Sequence, residues 1–260
     1  MRVTIVGSGD ASNAGGRAHS CYWIDGFGPR GLMVDFGATA LARLWQLGRD
    51  PEQLAVLSFT HLHGDHIGGF PFLFIDALYS SSRPRRRAPL TVIGPPGTRE
   101  RLQALVRVAY GKLADTEPSF PLAWEELRPG ESLRLEGGTL KAFAAEHMSP
   151  PDQALCLRFT AADGRSVAFS GDTRLCEGLL AAAQGTDLLV AECTGLRPPM
   201  GKHCTWEEWV EVLPRLDARR VVFSHLGEAV RARAAELLAA RPPEGPPLEF
   251  AEDGLQLRVE

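Results

Sequence analysis

Short apolar runs alternate with polar, glycine-rich breaks from the first residues onward. Arg2–Val6, Ser20–Asp25 and Leu32–Phe36 read as three strands joined by glycine-rich turns, and such a start predicts antiparallel hairpins. Ala38–Leu47 changes to helical spacing, with Gly48 placed to end it. Leu54–Thr60 is a continuous apolar strand, and Ile67–Tyr79 reads as a helix despite Pro71. Later strands are predicted at Leu90–Gly94, Thr139–Ala145, Ala154–Thr160, Ser166–Ser170, Leu188–Ala191 and Arg220–Ser224. Helices are predicted at Thr98–Tyr110, Leu175–Ala183, Trp206–Leu213 and Glu228–Ala239. Thr205 and Glu208 have capping-box spacing, so the helix they open should start just behind His203 and Cys204. The alternation argues for a mixed α/β (α+β) chain. Gly7-Ser8-Gly9 has Ser12 where a dinucleotide fingerprint needs its third glycine, and no helix follows, so it reads as a tight turn.

Four of the apolar runs end in side chains that bind metals. Leu54–Thr60 delivers His61, His63, Asp65 and His66; Leu140–Glu146 delivers His147; Val167–Gly171 delivers Asp172; Val221–Ser224 delivers His225. Imidazole nitrogen and carboxylate oxygen suit zinc and neighbouring first-row metals. His61 and His63 are two apart and can converge on one point, whereas Asp65 and His66 are adjacent and must point elsewhere, toward a second ion. Five histidines and two aspartates are the right number for two metals with an open position, and too many for one closed structural site. Ser170-Gly171 before Asp172 lets the backbone bend so that this carboxylate can bridge the ions.

Composition narrows the setting. The 260 residues are 44% hydrophobic and 23% charged, ordinary for a globular enzyme, and are expected to form a single domain over 1–260. A net charge of −4 supplies no global basic field to recruit nucleic acid. The N-terminus turns polar by position 8 and no apolar stretch is long enough to span a bilayer. The five scattered cysteines form no Cys-x-x-Cys pair, which argues against a disulfide framework and for a reducing cytoplasm. Ser80–Pro89, with four arginines and two prolines, reads as a solvated loop rather than a phosphate-attracting rim. His19 stands apart as a surface or loop histidine, and the five tryptophans read as core or pocket rim.

His61-x-His63-x-Asp65-His66 with His147, Asp172 and His225 downstream resembles the metallo-β-lactamase superfamily over nearly the whole chain. The resemblance implies a four-layer αβ/βα sandwich, two mixed β-sheets flanked by helices. It further implies that His61, His63 and His147 hold one metal, that Asp65, His66 and His225 hold the other, and that Asp172 bridges. Glu192 in Leu188–Thr194 and His203 in Gly201–Thr205 are similar in placement to the Glu-Ala-Thr and His-Ser-Thr motifs of the ribonuclease Z branch. Ile93–Gly97 resembles the Gly-Pro-Pro-Gly loop shared with phosphodiesterases that open cyclic ribose phosphates. The long tRNA-gripping arm of ribonuclease Z has no counterpart in the roughly 50 residues between Gly97 and His147.

The expected protein is therefore a dinuclear metal-dependent hydrolase acting on ester bonds, foremost a ribonuclease Z-like phosphodiesterase. Two divalent ions, zinc first and manganese or iron after it, polarise the phosphate and acidify a water to hydroxide. Asp65, His203 and Glu192 are the expected catalytic groups, with His203 kept protonated by Glu192 to stabilise charge or donate a proton. The expected partner is a small or short phosphodiester, with nucleic acid less favoured, no membrane, and a homodimer open. Competing readings are a sulfate ester or lactone hydrolase, a tRNA 3′ endonuclease relying on the arginine loop, and a metal-bound scaffold without catalysis.

Overall fold

The computed structural model describes every residue except Ser82. The first half of the chain builds β1 (Arg2–Gly7), β2 (Cys21–Asp25), β3 (Gly31–Val34), α1 (Ala40–Gln46), β4 (Leu54–Ser58), α2 (Gly64–Ile67), α3 (Phe70–Tyr79), β5 (Leu90–Gly94), α4 (Thr98–Tyr110) and β6 (Leu122–Glu126). The second half builds β7 (Ser132–Leu135), β8 (Gly138–Ala145), β9 (Ala154–Ala161), β10 (Ser166–Phe169), α5 (Glu177–Ala183), β11 (Leu188–Glu192), α6 (Trp206–Val212), β12 (Val221–Ser224), α7 (Glu228–Ala232), α8 (Ala234–Ala239), β13 (Leu248–Phe250) and β14 (Gln256–Arg258).

Two seven-stranded sheets result, ordered β14-β1-β2-β3-β4-β5-β6 and β13-β12-β11-β10-β9-β8-β7. In each, an antiparallel portion passes into a parallel one. β1, β2 and β3 pair antiparallel as the glycine-rich turns predict, and β3 to β6 run parallel. β7 to β10 pair antiparallel, and β10 to β13 run parallel.

The burial pattern explains why the strand sequences read as unbroken apolar runs. In β11, Leu188 and Val190 enter the core between the sheets while Leu189 and Ala191 pack outward under helices; β3 does the same with Leu32 and Val34 against Met33. Strands covered on both faces have no polar side to show. The outer layers are set by helix residues such as Leu44, Leu73 and Leu102 on one side and Leu179, Trp209 and Val230 on the other. Together the three cores give the four layers that the resemblance implies.

Local departures have simple causes. The predicted helix Ile67–Tyr79 is divided at Gly68–Gly69 into α2 and α3, and Pro71 falls in the first turn of α3, where its missing N–H has no intrahelical bond to lose. The predicted helix Glu228–Ala239 is likewise divided at Arg233 (φ −112°). β6, β7, β13 and β14 are absent from the sequence reading: each is a short edge strand, and Leu-Ala-Trp-Glu-Glu or Ser-Leu-Arg-Leu carries too few apolar positions to stand out. The capping box forms as predicted, with Thr205 and Glu208 each satisfying the other's backbone at the start of α6.

The arginine-rich segment is a loop, with Ser82 outside the described residues. Two of its arginines serve the fold. Arg83 pairs with Asp76 and Glu52. Arg86 is buried and donates to the carbonyls of Ala88, Pro51, Leu54 and Pro89, with its guanidinium over the Phe120 ring at 5.3 Å. Truncating Arg86 strips several buried carbonyls of a charged donor at once. Arg86→Ala is expected to lower unfolding free energy by about 3 kcal/mol, read from urea denaturation; a loss within a few tenths would show that water replaces the guanidinium there.

Candidate metal centre

The strand ends converge. Beyond β4 the backbone carries His61 and then His63, which opens α2 and sets Asp65 and His66 in its single turn. His147 follows β8, and His225 follows β12 with a left-handed φ of 50°. Asp172 follows Gly171, whose φ of 57° makes the bend anticipated before that carboxylate.

Two groups of candidate donors form at these strand ends. His63 Nδ1 lies 3.2 Å from His61 Nε2 and 2.9 Å from His147 Nε2. Three nitrogens in tetrahedral positions around one zinc stand about 3.3 Å apart, so this spacing fits a shared ion. In the second group, Asp65 Oδ2 is 3.2 Å from His66 Nε2 and 3.4 Å from His225 Nε2. Asp172 reaches both: Oδ1 is 3.3 Å from His66 Nε2, while Oδ2 is 3.3 Å from His225 Nε2, 3.8 Å from His61 Nε2 and 3.7 Å from His147 Nε2. Within each group the candidate ligand atoms all lie inside 4.8 Å of one another.

The donors also show what they lack. His66 Nε2 and Asp172 Oδ1 are buried without a hydrogen-bond partner. With His66 Nδ1 bound to Asp35 Oδ2 at 2.8 Å, Nε2 faces one oxygen each of Asp65 and Asp172. Two carboxylates there call for positive charge at Nε2, from a bound proton or a metal ion. The donor set therefore fits divalent metal. Burial disfavours a charged His66, but Asp172 and Asp35 outweigh it and raise its pKa well above the usual imidazole range.

Four of the five histidines, His66 among them, are steered through their other nitrogen, as ligand histidines are. His61 Nδ1 meets Thr60 Oγ1 at 3.1 Å, His147 Nδ1 meets the Lys202 carbonyl at 3.2 Å, and His225 Nδ1 meets Thr194 Oγ1 at 2.9 Å. Asp35 is fully buried, sits at φ 59°, and also accepts from Thr60 N and Oγ1 at 2.8 and 2.9 Å. Left-handed backbone at a non-glycine residue costs on the order of 1 kcal/mol, here at two residues that shape the site. Asp35 and Thr194 are missing from the sequence reading. Asp35 was within reach of it, since Leu32–Val34 is one more apolar strand ending in a carboxylate.

Glu192 and His203 meet as expected. His203 Nδ1 is 2.9 Å from Glu192 Oε1 and 4.0 Å from Asp172 Oδ2, and its ring stacks 5.5 Å from that of His225 and lies 4.8 Å from His147. Glu192 also accepts from Thr173 N at 2.8 Å and Thr194 Oγ1 at 2.7 Å, so its carboxylate is filled by donors and is not an open metal ligand. Burial lowers the His203 pKa, but the hydrogen bond and charge of Glu192 outweigh it and raise the imidazole above its ordinary value. At Asp65, burial opposes ionisation, yet hydrogen bonds from His225 and His66 hold the carboxyl below the usual range. His19 is half-buried and on a loop rather than free on the surface, and burial lowers its pKa.

This layered fold with a His/Asp cluster at the strand ends is that of a metallo-hydrolase superfamily. Residues 32–226 match the family model described as a beta-lactamase superfamily domain, and the chain belongs to the metallo-β-lactamase superfamily. It is 29% identical over 230 residues to the Mycobacterium tuberculosis protein Rv1339, covering 87% of this chain and 81% of that one. It is 27% identical over 312 residues to ribonuclease Z of Haloferax volcanii, covering 100% and 95%. The structure of the metallo-beta-lactamase fold protein YhfI from Bacillus subtilis superposes with a TM-score of 0.78 at 19% identity, over 99% of both chains. Among the described residues no helix is long and apolar enough to cross a membrane.

Proposed function

We propose that this protein is a dinuclear metal-dependent phosphodiesterase acting on a small or short substrate. The observation that carries the reading is the Glu192–His203 pair, an imidazole 2.9 Å from a buried carboxylate that raises its pKa, beside two adjoining groups of candidate ligands and only 22% exposed. His61, His63 and His147 would hold one divalent ion, and Asp65, His66 and His225 the other, with Asp172 shared; zinc suits these nitrogen and oxygen donors best. Two ions so held would polarise phosphoryl oxygens and acidify a water.

The chain's own residues divide the remaining work. Asp65, ionised and at the edge of the second group, orients the attacking water. His203, with Nδ1 engaged by Glu192, turns Nε2 to the substrate, where it stabilises the charge building on phosphorus or protonates the departing oxygen. A carboxylic ester or lactone has less use for an added cation, because its transition state spreads less negative charge. Arg83 and Arg86 are engaged in the fold, which removes half of the arginine loop from any role in gripping tRNA.

A substrate-class screen on metal-replete protein tests the reading. Turnover of bis(p-nitrophenyl) phosphate should exceed that of p-nitrophenyl sulfate and simple lactones by about 100-fold or more in kcat/KM, the scale of one well-placed acid or charge stabiliser. Comparable turnover of a lactone would move the protein to the non-phosphorus reading, and efficient 3′ cleavage of precursor tRNA would enlarge its substrate.

A further inference from the structure

The segment from Leu196 to His203 has a built form that metal binding does not require. Its base is closed by Thr194 N and Gly195 N donating to the Cys204 carbonyl at 3.2 and 3.3 Å, and by Trp206 N donating to Gly195 O at 2.8 Å. Met200 folds back over Gly195: a Cβ at that glycine would stand 2.7 Å from Met200 Cγ, so a larger residue there would displace the thioether. His203 N donates to Met200 O at 3.2 Å, which sets Met200 one turn from the imidazole.

On the opposite bank, His147 is followed by Met148-Ser149-Pro150-Pro151, as Arg197 is followed by Pro198-Pro199-Met200. Lys202 ties the banks together. Its Nζ donates to Met148 O at 2.9 Å and Ser149 Oγ at 3.0 Å, while its carbonyl accepts from His147 Nδ1 at 3.2 Å. The ammonium is thus a strap between two loops. Much of what the strapped rim presents outward is apolar: Met200 is 41% exposed and Pro150, Pro151, Pro198 and Pro199 are exposed, beside the polar Ser149 and Arg197.

The oxygen leaving phosphorus must come within reach of His203, so the group attached to it extends over whatever borders that imidazole. The two strapped loops that run up to His147 and His203 carry two methionines and four prolines, with Ser149, Arg197 and Lys202 among them. A thioether favours the edge and face of an aromatic ring, and a preformed rim needs little ordering on binding. We propose that the rim formed by Met148–Pro151 and Pro198–Met200 seats the substrate's departing organic group and selects a planar aromatic one, an aryl group or a nucleobase, over a small alkyl group. This rests on the phosphodiesterase reading and names the kind of ester arm that reading leaves open.

Calorimetric titration of metal-replete protein with phenylphosphonate and with methylphosphonate tests it without turnover. The two ligands share a head group and differ in the arm that meets the rim. Wild type should bind the phenyl compound about fivefold more tightly, within the range of sulfur–aromatic contacts. Met200→Ser, a change at an exposed position, should bring the ratio close to one. Equal affinities in wild type overturn the proposal, as does an unchanged ratio in Met200→Ser. A protein that prefers phenylphosphonate and yet fails to hydrolyse phosphodiesters keeps the rim and loses the activity; one that binds neither phosphonate loses both.

Discussion

Replacing His203 with alanine is expected to reduce kcat by about 100-fold or more on a phosphodiester with a nucleoside or alkyl leaving group, while the metal content stays at the wild-type level. The loss should be smaller with p-nitrophenolate, which departs with little need of a proton. That contrast separates two duties: a donor matters in proportion to the basicity of the leaving oxygen, whereas a stabiliser of charge on phosphorus matters equally for both. His203 lies close enough to His147, Asp172 and His225 to join a donor cluster, but its Nδ1 is engaged by Glu192, so its removal leaves the seven candidate ligands in place. The pH profile supplies a check. Glu192 raises the His203 pKa, so the protonated ring persists to higher pH and activity falls on the basic side as it deprotonates. Glu192→Gln removes the charge, lowers that pKa and should move the basic limb of kcat to lower pH. A limb that stays in place, with full activity in His203→Ala, would falsify the assigned role.

Loss of Asp172 should be more severe. Its two oxygens stand 3.3 to 3.8 Å from four different imidazole nitrogens, a reach shared by neither Asp65 nor any single histidine. Asp172→Ala removes the one carboxylate common to both groups and leaves the remaining histidines facing one another. Bound metal, read by elemental analysis after dialysis, should fall to about one ion per chain or fewer. Activity should drop by about 1,000-fold or more and recover only partly in excess metal, since second-site geometry and charge are lost together. Retention of two ions would mean that the histidines and Asp65 suffice and that Asp172 serves only to orient them.

Much of this site could be read along the chain because its ligands obey a local rule. A strand buried on both faces must end before a polar side chain can meet water or metal, so apolar runs that stop at histidine or aspartate announce a site. His61, His63, Asp65 and His66 announce it outright, being crowded into six positions; His147, Asp172 and His225 do so only jointly. Local chemistry likewise foretold the capping box at Thr205 and the bend at Gly171. Edge strands escaped because they have one covered face and few apolar residues, and the break between α2 and α3 escaped because helical period alone does not register two glycines.

Sequence by itself determined the kinds of candidate ligand and the strands that carry them. Tertiary structure decided which atoms meet. It gives the separations that set Asp172 between the groups, and it alone sets Asp35 behind His66 and Thr194 behind His225 and fills Glu192 with further donors from Thr173 and Thr194. It also buried Arg86 of the arginine loop against four carbonyls and strapped the two methionine–proline loops with Lys202. The physical reason is distance: ligand type is written in each residue, whereas coordination depends on separations of a few ångströms between residues up to about 160 positions apart, which only the packed sheets bring to one edge.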